Sequence, residues 1–123
     1  MIKKTFLFLC IFSSIFVISC GTKKDNTEVK FKINNNESFV LENFVIFLSD
    51  DKSIKTDSTT VEANSSKNIS LNMEFAAKKD GNYTIEYVAN GTSVSEIRGY
   101  YTNGTPLEKE ILITIENNSL SWK

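Results

Sequence analysis

From residue 28 onward apolar and polar side chains alternate with a period of two, the pattern of half-buried β-strands. Val29, Phe31 and Ile33 alternate with lysines and an asparagine. Ile69, Leu71, Met73 and Phe75 alternate with Ser70, Asn72 and Glu74, and Tyr83, Ile85 and Tyr87 with Thr84 and Glu86. Ile111, Ile113 and Ile115 alternate with Leu112, Thr114 and Glu116, and a last short strand holds Leu120 and Trp122. One run breaks the rule. Phe44-Val45-Ile46-Phe47-Leu48 has no polar face, which predicts a central strand covered on both sides. Residues 49–66 are rich in Ser, Thr, Lys and Asp and read as the longest weakly structured stretch, with a short edge strand near residues 59–62. No segment after the leader has helical period.

Between the runs stand Asn34-Asn35-Asn36, Asp80-Gly81, Asn90-Gly91, Asn103-Gly104 and Asn117-Asn118. Asn-Gly and Asp-Gly are strong hairpin signals, because a type I′ turn needs φ > 0 at both central residues. Such turns between alternating runs predict an antiparallel all-β domain of about seven or eight strands. Asp80-Gly81-Asn82-Tyr83 resembles the corner entering strand F of immunoglobulin-like sandwiches, where a tyrosine hydroxyl bonds back to the backbone. The resemblance implies an immunoglobulin-like β-sandwich, with Ile85 where antibody domains place their second cysteine. The last strands read as a plain meander, which leaves an alternative: a small up-and-down barrel similar to lipocalin-like lipoproteins.

The first 20 residues follow a different pattern. Lys3 and Lys4 open the chain, residues 6–18 are apolar apart from Ser13 and Ser14, and polar residues begin at Gly21. That order is an export signal. Its apolar run is shorter than the roughly 20 residues a spanning helix needs. Val17-Ile18-Ser19-Cys20 resembles the lipobox of bacterial lipoproteins, with Val17, Ser19 and Cys20 matching. The resemblance implies cleavage before Cys20, a diacylglycerol thioether on its sulfur and an acylated amino group. It divides the chain into a leader at 1–19, a lipidated N-terminus and flexible tether at 20–27, and one domain at 28–123. The partner so implied is a membrane, held through lipid on Cys20. Gly21 stands where an aspartate signals inner-membrane retention in that family, so the implied address is the outer membrane. Each buried CH₂ contributes about 0.8 kcal/mol, so two or more acyl chains hold firmly where one is marginal.

Composition narrows the chemistry. Losing Lys3 and Lys4 leaves 12 of the 14 basic residues against all 15 acids, a net charge of −3. That argues against a nucleic-acid surface. Cys10 leaves with the leader, so the mature chain has no second cysteine for an intrachain disulfide. With no histidine anywhere and the remaining cysteine acylated, neither a nucleophile–base pair nor a zinc or copper site is identifiable. The chain reads as non-catalytic and without a cofactor. Asp50, Asp51 and Asp57 are weak metal candidates; residues 51–62 have the length of an EF-hand loop, but Lys55 takes a ligand position and Thr56 the position that needs glycine. Asp57-Ser58-Thr59 resembles a short O-glycosylation acceptor of exported bacterial proteins.

Candidate ligand contacts are aromatic. Alternation places Ile97, Gly99 and Tyr101 on one face, read as core, and Glu96, Arg98 and Tyr100 on the other. An exposed Tyr100 beside Arg98 could stack on a sugar or a peptide. Trp122 reads first as a plug closing the core and second as a binding platform. The expected function is an envelope-anchored binding or interaction module for a protein or carbohydrate. An inhibitor or immunity-type lipoprotein and a structural accessory subunit are the alternatives. The last would show Val45 and Phe47 uncovered.

Overall fold

The computed structural model describes residues 27–123. The signal, lipobox and most of the tether expected at 1–26 lie outside the described residues. The described chain is all β: β1 (Glu28–Asn35), β2 (Leu41–Leu48), β3 (Asp51–Lys55), β4 (Thr59–Val61), β5 (Ser65–Asn72), β6 (Gly81–Ala89), β7 (Thr92–Thr102), β8 (Thr105–Pro106), β9 (Glu110–Glu116) and β10 (Ser119–Trp122). They form two sheets. The first has the order β10-β9-β1-β5, the second β3-β2-β6-β7-β8, with β4 also on β2. The fold is therefore a sandwich, with ten strands where about seven or eight were expected. The alternative of a small up-and-down barrel does not apply.

The core lies between the sheets. Val29, Phe31, Ile33, Leu71, Ile111, Ile113 and Ile115 fill it from the first, and Leu41, Phe44, Ile46, Leu48, Tyr83, Ile85 and Tyr87 from the second. Their period-two spacing is what puts each set on one face. β2 is central as predicted. Ile46 and Leu48 point into the core, while Phe47 is buried on the opposite face under Lys52, whose Nζ stands 5.0 Å from the ring centroid. Val45 is half-buried, so neither residue is the uncovered apolar patch that an accessory subunit would show.

Three asparagine turns match their expectation. Asn90-Gly91, Asn103-Gly104 and Asn117-Asn118 all have positive φ at both positions, as tight hairpins between right-twisted strands require. Several other expectations are corrected. Asp80-Gly81 closes no hairpin: β5 and β6 belong to different sheets, joined by a crossover at 73–80. The last strands are no plain meander, because β8 has only two residues and β9 joins the other sheet. Pro106 has no N–H with which to extend the β8 ladder. β9 then pairs with β1 in parallel, Ile111 beside Phe31 and Ile113 beside Ile33, the one parallel pair among the described residues. The Tyr83 hydroxyl donates to Met73 Sδ at 3.6 Å, not to backbone. The 49–66 stretch is mostly strand, β3 and β4 lying end to end along β2. Between them Thr56 accepts the Ile46 N–H on Oγ1 at 3.0 Å and donates its own N–H to Ile46 O at 2.9 Å, bridging the gap.

Candidate functional site

β7 carries most of the predicted contacts and departs from simple alternation. Gly99 has φ +65° and forms a bulge: the register against β6 shifts between Gly81–Tyr101 and Tyr83–Arg98. One extra residue reverses every side chain on one side of it. Ile97, expected in the core, is therefore 65% exposed, while Tyr101 beyond the bulge is buried. The Asn82 side-chain amide donates to Gly99 O and holds the bulge. A Cβ on Gly99 would stand 2.5 Å from Trp122 Cζ2.

Tyr100 is exposed, but its polar end is committed. Its hydroxyl donates to Asp80 Oδ2 at 2.8 Å, and Asp80 Oδ1 accepts the Asn103 N–H at 2.9 Å. These bonds, the backbone one foremost, hold the Asp80 carboxyl below its usual range; the Asp80 contact raises the Tyr100 phenol. Arg98 is committed elsewhere. It pairs with Glu96 at 2.9 Å and reaches Leu120 O at 3.4 Å, bridging the edges of the two sheets. Tyr100 and Arg98 thus make no joint platform. Trp122 packs as a half-buried plug, stacked on Tyr83 with centroids 5.6 Å apart and set edgewise on Phe31 at 5.7 Å.

The acidic candidates are dispersed. Asp50 pairs with Lys79 at 3.3 Å, and Asp51 accepts the Ser53 hydroxyl at 2.6 Å and its N–H at 3.0 Å. Those bonds, the hydroxyl first, lower the Asp51 carboxyl. Asp57 lies beyond the far end of β3. No three metal-binding side chains gather among the described residues.

An open groove of about 740 Å³ lies on the outer face of the first sheet. Lys30, Lys32 and Asn34 of β1 form its floor. Asn68 and Ser70 flank them from β5, Glu110 and Leu112 from β9. Strand pairing sets this arrangement: Lys32 stands between Asn68 and Leu112, and Lys30 between Ser70 and Glu110. Lys123 is fixed at one end by paired backbone bonds with Leu112, each 2.9 Å. Lys30, Lys32 and Lys123 make no ion pair among the described residues. Sequence reasoning missed the groove. Its signal was the lysine-bearing face of β1, which points outward because Val29, Phe31 and Ile33 point in.

No protein-family model matches the chain, and no curated protein matches it. Among solved structures, an NMR structure of a protein from Eubacterium rectale is similar, with a TM-score of 0.50 and 12% identity over 84% of this chain and 93% of that one. At that identity the likeness is one of fold alone.

Proposed function

We propose that the protein is exported, anchored through lipid on Cys20 to the bacterial outer membrane, and acts as a non-catalytic binding module. The groove on the first sheet carries this reading. Three lysine ammoniums with no ion pair among the described residues line it in a mature chain whose net charge is −3, with amide and hydroxyl side chains between them. Glu110 tempers one end. Such a surface suits an extended, anionic, hydroxyl-rich ligand such as an acidic glycan. Lysines supply attraction that reaches about 8 Å at physiological salt; Asn34, Asn68 and Ser70 supply directional bonds. The anchor confines the module to a surface and raises its local concentration there.

The test is binding of the lipidated protein to dextran sulfate, with uncharged dextran as control. The native chain binds the sulfated polymer, and Lys30→Glu/Lys32→Glu lowers affinity tenfold or more. Equal binding by both proteins, or none by either, overturns the groove as the ligand surface. Cys20→Ala releases the protein from membranes; a variant that still sediments with them removes the anchor.

A further inference from the structure

The described chain enters the sandwich at one end. Thr27 O accepts the Met73 N–H at 2.8 Å, and Glu28 pairs with Asn72. The same end carries the 73–80 crossover, the turn between β7 and β8, and the 107–109 link, where the Lys30 N–H meets Lys109 O at 2.8 Å. Four large apolar side chains are exposed among the described residues, and three of them, Phe75 at 86%, Leu107 at 59% and Tyr100 at 48%, lie there.

Phe75 is held in that position. On one side the Glu74 N–H bonds Asn72 Oδ1 at 2.9 Å, and on the other the Ala76 N–H bonds Met73 O at 3.0 Å. Met73 and Ala76 are both buried. Farther along, Lys79 O accepts the Gly104 N–H at 2.8 Å, tying the crossover to the β7–β8 turn. A loop pinned on both flanks buries Met73 and presents Phe75 to the outside.

We infer that this end of the sandwich rests on the bilayer that carries its own anchor, with Phe75 and Leu107 set into the headgroup region. The inference rests on the Cys20 reading. From Cys20, the seven residues 20–26 span at most about 25 Å at 3.3–3.6 Å per residue. Thr27 therefore stays within that distance of the lipid, and the end of the sandwich that it enters is kept near the bilayer. Aromatic side chains favour the membrane–water interface. Glu74 and Glu108 flank the two side chains while Lys78, Lys79 and Lys109 share the same loops, so the contact is carried by the apolar side chains and not by one sign of charge. Docked this way, the β1 groove stands on the flank of the domain, and the turns at 90–91 and 117–118 point away from the membrane.

On the anchor reading the mature chain has no cysteine beyond Cys20, whose sulfur is blocked as a thioether. Phe75→Cys, Leu107→Cys and, at the opposite end, Ser38→Cys each add one reactive thiol. Each full-length, lipidated variant is labelled with a bimane fluorophore. It is then reconstituted in phosphatidylethanolamine–phosphatidylglycerol vesicles with brominated acyl chains. Labels at 75 and 107 are quenched at least twofold more than the label at 38, equally at about 0.1 and about 1 M salt. Equal quenching at all three positions in vesicle-bound protein overturns the docking and leaves the anchor standing. Protein that does not float with the vesicles overturns the anchor, and the docking with it.

Discussion

Asn35 is the polar side chain on which one end of the sandwich depends. It is fully buried, and its Nδ2 donates to Phe39 O at 2.8 Å, Glu62 O at 3.1 Å and Val61 O at 3.2 Å, while Oδ1 accepts the Glu37 N–H at 3.0 Å. One amide thus ties β1 to the β1–β2 turn and to the end of β4. Asn35→Ala leaves these groups without their partner at a partly buried site, so it lowers stability by about 1–3 kcal/mol, read as a reduced urea midpoint with an unchanged slope. Three consecutive asparagines spell a turn, and nothing local marks the middle one as buried. Gly99 was equally opaque. It needs positive φ and leaves no room beside Trp122. Gly99→Ala costs about 1–3 kcal/mol and shifts the Trp122 emission, because the ring must move to admit the methyl.

The strands show which parts of the pattern survive folding. β1, β5, β6 and β9 place their apolar sets on the face that alternation assigns, because a core on one side and water on the other enforce period two; Phe75, expected on the same face as Leu71 and Met73, is instead exposed, because β5 ends at Asn72 and the chain turns into the crossover. β2 and β7 each contain a residue with positive φ, Asn43 and Gly99, and at each the register slips. At Asn43 the slip lets Leu41 and Phe44 both face the core. The tyrosines add a pH dependence. Burial raises Tyr83, Tyr87 and Tyr101, and the Asp80 bond raises Tyr100. The unfolded chain releases these protons near pH 10, the folded chain above it. Stability is therefore full below pH 10 and declines as pH rises from there through the folded values. Phenolate absorbance at 295 nm, followed with circular dichroism, checks this: the buried tyrosines ionise only as the sheet signal is lost.

Across the whole molecule, the ends and the faces divide the work. The proposed membrane contact, Phe75 and Leu107, occupies the end where the chain enters. The proposed ligand groove occupies the outer face of the first sheet, so a ligand and the bilayer would not compete for one surface. β10 and β9 close one flank of that face, and Trp122 seals the core behind them. Removing the lysine charges changes ligand affinity without unfolding the domain, since Lys30 and Lys32 are exposed and make no ion pair among the described residues.

By itself the sequence determined the β class, the inward faces of most strands, the asparagine turns and the leader pattern that implies an anchor. All of these are local: a period of two, a demand for positive φ, an order of charged, apolar and small residues. Only the tertiary structure decided which strands are neighbours, that β9 crosses to lie parallel to β1, that Gly99 turns Ile97 outward, and that Tyr100 and Arg98 bond to different partners. It alone gathered Lys30, Lys32 and Lys123 into one groove and Phe75 and Leu107 at one end. Such juxtapositions are set by pairing between residues far apart in the chain, and that pairing depends on how the whole core closes.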